Sequence, residues 1–185
     1  MKWIRRILLA GTVLLMLLLS AGNGPLITGE APRGGLSLEL PASGLDVQLM
    51  LWSWDVRDVL EVARHQIQLD FVFIVFYAGL LIYACLRLGQ KLARAGGGGR
   101  TVARVGVCAA AAAGLLDAVE NIGMLRLIAA GYGHAPPEAL VSMVFGSALA
   151  KFVLVGISAL AIVALDLRVV RTRSPPPSAR GDSMR

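Results

Sequence analysis

The chain has 185 residues, of which 56% are apolar and 16% charged, with a mean hydropathy of +0.69. That balance excludes an ordinary water-soluble domain and describes an all-α integral membrane protein. The net charge of +6 reads as membrane topology and not as nucleic-acid binding, because thirteen of the eighteen Lys and Arg fall in three places: three at the N-terminus, five in residues 87–104 and five after Asp166.

The first apolar stretch spans residues 4–21, behind Lys2, Arg5 and Arg6. A basic start, an apolar run and then Leu18-Leu19-Ser20-Ala21-Gly22 also describe a secretory signal peptide. Cleavage would leave three spans and a free extracytoplasmic N-terminus. Gly22 to Gly35 is rich in Gly and Pro and is expected to be an irregular linker. Leu36-Ser37-Leu38-Glu39-Leu40 alternates apolar and polar, the pattern of one short strand ended by Pro41.

From Leu45 to Ile67 the period lengthens. Leu45, Leu49, Trp52, Val56, Val59, Leu60, Ala63 and Ile67 recur at three- and four-residue steps, which predicts an amphipathic helix. Ser43 followed by Asp46 is a capping box with Asp in place of Glu. Trp52 and Trp54 form a candidate interface, since an indole suits the headgroup zone. The helix is expected to lie on the outer leaflet or to cap the bundle, with a partner-binding surface as the other reading.

Three further spans follow, at about residues 69–88, 104–130 and 139–167. Each is long enough to cross a hydrocarbon core of about 30 Å at about 1.5 Å per residue. The basic segments are then cytoplasmic by the positive-inside rule. The outer loop 22–68 carries Glu30, Glu39, Asp46, Asp55, Asp58 and Glu61 against three arginines. A four-helix transmembrane bundle with both termini cytoplasmic, in a plasma or bacterial inner membrane, satisfies every loop. Gly96 to Gly99 have neither a preceding strand nor a following Gly-Lys-Ser/Thr, so they read as a flexible turn and not a phosphate loop. Residues 174–185 read as a disordered cytoplasmic tail, in which Arg180-Gly181-Asp182 is a coincidental tripeptide.

Polar residues inside apolar spans carry the functional signal, because ionisable groups are costly there. Asp117, Glu120 and Asn121 are spaced i, i+3, i+4 and share one helix face. Asp117 lies about 20 Å from the end near Ala130, and Lys151 about 20 Å from Glu138. Ser147 lies one turn from Lys151, with Ser158 on the same face, and Tyr77 shares a face with Asp70 on the second span. The expectation is a buried ion pair between Lys151 and Asp117 or Glu120, with Asn121, Tyr77 and Ser147 completing the hydrogen bonds. Arg126 points away, so one ammonium faces two carboxyls, and one of them takes a proton or reaches water. Such a cluster serves either as helix-to-helix glue or as a functional polar site. Ala109 to Gly114, with Gly146, Ala148 and Ala150, point to close helix packing. Asp70 reads as a helix-start residue at the interface.

Cys85 and Cys108 read as small apolar packing residues on the reducing side, and His65 and His134 offer no metal centre, so no metal or cofactor is expected. A long first outer loop, a short second one and cytoplasmic termini give a plan that resembles claudin-like four-span proteins in outline. The chain lacks the paired cysteines of their first loop, and no junction-forming role is carried over. Three functions are compatible with this pattern. The leading one is a non-enzymatic accessory or scaffold protein whose partners are the lipid bilayer and another membrane protein or a second copy. The next is a small oligomeric transporter or proton-linked carrier using Asp117, Glu120 and Lys151. A lipid-acting enzyme ranks last, since no catalytic motif supports it.

Overall fold

The computed structural model describes residues 2–95 and 98–173. In chain order these form α1 (Lys2–Gly22), a 3-10 turn (Gly24–Leu26), α2 (Gly35–Glu39), α3 (Gly44–Val56), α4 (Leu60–Arg94), α5 (Arg100–Ala130) and α6 (Glu138–Arg173). There is no strand among the described residues. Helices α1, α4, α5 and α6 are each long and apolar enough to cross a membrane. At about 1.5 Å per residue the last three run about 46 to 54 Å, which leaves turns beyond a hydrocarbon layer of about 30 Å. The expected tail 174–185 and two of the four loop glycines lie outside the described residues.

Helices α4, α5 and α6 pack on one another, and α1 lies chiefly along α4. Small residues set the spacing. A Cβ on Gly106 would sit 2.5 Å from Cys85 Sγ and 2.9 Å from the Ala161 methyl, and one on Gly123 would sit 2.6 Å from Val144. Ala109, Ala110, Ala113 and Gly114 are buried on α5 and Ala148 on α6. Gly146 departs from the expected pattern: it is exposed, and nothing approaches it. Ser158 Oγ donates to the Gly106 carbonyl at 3.0 Å and ties α6 to the close crossing. Cys85 is buried, but Cys108 is exposed, which corrects its reading as a packing residue.

Residues 24–59 fold as a cap on the end of the bundle where α4 starts and α5 finishes. Leu26, Leu38, Val47, Leu51 and Trp54 pack against Ile67, Met124, Leu127 and Val144 in one continuous core. Side chains hold the turns: Gly35 N–H donates to Asn23 Oδ1 at 2.8 Å, and Ala31 N–H donates to Thr28 Oγ1 at 3.0 Å. Ser53 gives its one hydroxyl proton to the Met50 carbonyl, so in the 2.9 Å Thr28–Ser53 contact Thr28 is the donor.

Three sequence expectations for this region are corrected. Leu36 to Leu40 is not a strand. It has no partner strand to bond with, and the backbone instead satisfies itself in the single helical turn α2, entered through Gly34 at φ 60°. The helix expected from Leu45 to Ile67 breaks after Val56, and its second half is the start of α4. The break is a Schellman motif: Asp58 N–H donates to Asp55 O and Val59 N–H to Trp54 O, both at 2.9 Å, with Asp58 at φ 57°. Trp54 is not at the headgroups. It is 0% exposed, and its indole N–H donates to the Leu26 carbonyl at 2.8 Å.

The apolar row read from the sequence, Leu45, Leu49, Trp52 and Val56, turns out to be the exposed face of α3, with Trp52 48% accessible. The buried face is Val47, Met50, Leu51 and Trp54. Both faces of α3 are therefore apolar. Ser43 is the N-cap of α3 and its Oγ accepts from Asp46 N–H at 3.2 Å.

Candidate functional site

The packing of α4 against α5 and α6 brings polar side chains from all three helices together. Lys151, 7% exposed on α6, points into the seam between α5 and α6. Its Nζ lies 2.7 Å from Asp117 Oδ1 and 2.9 Å from Glu120 Oε1. A third carboxylate arrives from the cap: Glu39, the last residue of α2, places Oε2 3.1 Å from the same nitrogen. An ammonium has three N–H donors, and here each has its own carboxylate.

The network continues to α4. Tyr77 hydroxyl donates to Asp117 Oδ2 at 2.7 Å, so both oxygens of Asp117 are occupied. Asn121 does not bond Lys151, as the shared face had implied; its amide donates to Asp70 Oδ2 at 2.8 Å. Asp70 is correspondingly not a helix-start residue, since α4 begins ten positions earlier. Ser147 is buried one turn from Lys151 but makes none of these hydrogen bonds. Arg126 is exposed on the far side of α5.

Three carboxyl groups thus share one ammonium, and a fourth, Asp70, is held nearby by Asn121. In low-dielectric surroundings such an excess persists only if some of the carboxyls hold protons or meet water. Glu120 is 0% exposed, and its Oε2 is the one buried side-chain oxygen or nitrogen without a hydrogen-bond partner among the described residues. Glu39, Asp70 and Asn121 also line a cavity of about 290 Å³ between the cap, the end of α1 and α4, walled by Leu19, Leu36 and Met124. No group of three or more metal-ligating side chains able to hold an ion occurs among the described residues.

Sequence reasoning missed Glu39. It is one of six carboxylates in the 22–68 segment, and its flanking alternation points to a pleat, which would have turned it to solvent. The available signal was the charge imbalance on α5 and α6, which called for another cation; the fold adds another anion instead. Lys151 therefore ties four parts of the protein: α2 and α5 directly, its own α6, and α4 through Tyr77.

A second tie runs over the surface. Tyr132, in the α5–α6 connection, donates its hydroxyl to Asp55 Oδ2 at 2.8 Å, and Gln48 Nε2 donates to the Tyr132 carbonyl at 3.2 Å. The hydrogen bond to Asp55, reinforced by the carboxylate charge, holds the Tyr132 phenol above its ordinary range. His134, in the same connection, is exposed. No known protein family, curated protein or solved structure matches this chain, so its site is read from its own geometry.

Proposed function

We propose that the chain is an integral membrane protein of four spans, with both termini cytoplasmic in a plasma or bacterial inner membrane, acting without enzymatic chemistry as an accessory or scaffold protein. The observation that carries this reading is the position of Glu39 on Lys151. A buried ammonium that bonds the cap and two spans at once makes the extracytoplasmic surface a rigid extension of the bundle. Breaking one partner of such a cluster is costly, so the arrangement fixes one geometry. The rigid cap displays the exposed row Leu45, Leu49, Trp52 and Val56, a surface for the outer leaflet or a neighbouring membrane protein.

One observation favours a second reading, a proton-linked carrier. Glu120 Oε2 is buried with no partner, at the centre of a cluster with more carboxyls than cations. Reconstitution separates the two. In vesicles carrying an internal pH dye, the scaffold reading expects proton flux equal to that of empty vesicles under an imposed gradient. It also expects the stability lost in Lys151→Met to be recovered in large part by adding Glu120→Leu. Proton flux abolished by Glu120→Gln would overturn it in favour of the carrier. A reporter fused after Arg173 is expected to score cytoplasmic, and an external score would overturn the orientation.

A further inference from the structure

The opposite end of the bundle has a different character. Arg94 ends α4, and Arg100 and Arg104 open α5. All three are exposed, and none has an ion-pair partner among the described residues. From Tyr83 to Val107 the sequence contains no acidic residue, and on the last four turns of α6 Asp166 is the only one. The three arginines rim a groove of about 460 Å³ between α4 and α5.

The floor of that groove is shallow and apolar. Gly89 lets the two helices close, since a Cβ there would lie 2.6 Å from the Ala103 methyl. Beyond the rim the walls are Leu86, Val107 and Cys108, of which Leu86 and Cys108 are exposed. From Arg94 back to Leu86, and from Arg100 on to Cys108, is eight residues, or about 12 Å of helix. Arg94 and Arg100 therefore stand at the mouth of an apolar channel about 12 Å long that runs parallel to the helices, and Arg104 rims it about 6 Å further in.

We propose that this groove binds one acidic phospholipid, with its phosphate among Arg94, Arg100 and Arg104 and the start of one acyl chain along Leu86, Val107 and Cys108. Charge and shape choose the occupant together. A zwitterionic lipid offers the arginines no net charge, and a soluble anion leaves the apolar walls open to water. Arginine suits a phosphate because its planar fork can give two parallel N–H bonds. The inference rests on the membrane-spanning reading above, since a lipid reaches the groove only if this end lies at a bilayer surface.

The full chain, purified in a mild detergent, is to be titrated with phosphatidylglycerol and with phosphatidylcholine of identical chains, and bound lipid counted by native mass spectrometry. One phosphatidylglycerol is expected to bind at least tenfold more tightly, given roughly fivefold per arginine at an anionic lipid surface. Combined Arg94→Gln, Arg100→Gln and Arg104→Gln should bring it to the phosphatidylcholine level. The charge-matched Lys2→Gln, Arg5→Gln and Arg6→Gln should leave the preference in place. Cys108→Trp, which fills the apolar end without changing charge, should weaken both lipids. Equal binding of the two lipids, equal loss in the two charge-matched variants, or no effect of Cys108→Trp overturns the proposal. A chain released from membranes by alkaline carbonate would instead overturn the spanning reading itself.

Discussion

At the capped end of the bundle Glu39, Asp117 and Glu120 share one buried ammonium, with Asp70 held nearby by Asn121, whereas at the other end Arg94, Arg100 and Arg104 stand exposed around a groove whose lining holds no acid. Both ends carry unbalanced charge, but the imbalance is resolved differently. Around the buried Lys151 the fold brings the partners itself, since an unpaired buried charge is costly, and it draws them from α2 and α5, with Tyr77 of α4 behind them. At the exposed end no described residue pairs with the three arginines, and the surroundings are left to complete the shell. The difference teaches that charge alone does not mark a site as structural or receptive. What decides is whether the protein has already supplied the counter-groups.

Cutting one residue at each end tests this contrast most strongly. Lys151→Met leaves Asp117 and Glu120 buried, and Glu39 half-buried, without their cation and is expected to cost about 3–5 kcal/mol. Leu165→Ala, in the small core that Leu165 forms with Leu92, Ala103 and Val169 at the other end, is expected to cost about 2–4 kcal/mol. The two should differ in reach as well as size. Denaturant titration in detergent gives the totals, and hydrogen exchange shows where they fall: Lys151→Met should expose residues 30–58 as well as α5 and α6, and Leu165→Ala should leave the cap protected. Cap exchange that rises equally in both would sink the idea that Lys151 holds the cap.

A smaller effect is expected from Glu39→Gln. It removes an ion pair but also relieves repulsion among the remaining carboxyls, so the net loss should be about 1 kcal/mol. That is roughly a fivefold rise in cap opening, read as faster exchange at Leu38 and Trp54 with the bundle unchanged. An unchanged cap would show that its apolar core alone keeps it closed.

The smallest effect concerns Tyr132, which is on the surface. Its phenol is raised in the folded state, so the tie to Asp55 is fully present below the ordinary tyrosine value of about 10 and is lost as pH climbs through the higher folded value. An NMR titration of the Tyr132 ring should show a lower midpoint in Asp55→Asn than in the wild type. Coincident midpoints would mean that the hydrogen bond does not persist in solution.

Much of the bundle was legible because a polar residue within an apolar run cannot be mistaken for surface. Asp117, Glu120 and Lys151 announced themselves by context, and a period of 3.6 put the first two on one face. The cap was less legible, for reasons particular to it. Asp58 takes the left-handed conformation that glycine usually signals, so the end of α3 carried no marker. α3 is apolar on both sides, so the repeat through Leu45, Leu49 and Trp52 was real but picked the outward face. Trp54 and Trp52 lie two residues apart on that helix, which is enough to place one in the core and one outside. Glu39 was invisible because its role depends on a residue far along the chain.

That separation has a consequence for how the protein is made. Glu39 and Lys151 are 112 positions apart. At synthesis rates of about 5–20 residues per second, Glu39 exists for about 6–22 s before its ammonium is made, and Asp117 and Glu120 precede it as well. During that interval Glu39, Asp117 and Glu120 lack the one cation that pairs with them in the finished fold. The helix that carries Lys151 is therefore the one whose arrival locks the assembly, and a chain stopped before residue 151 would leave these three carboxyls without their shared cation.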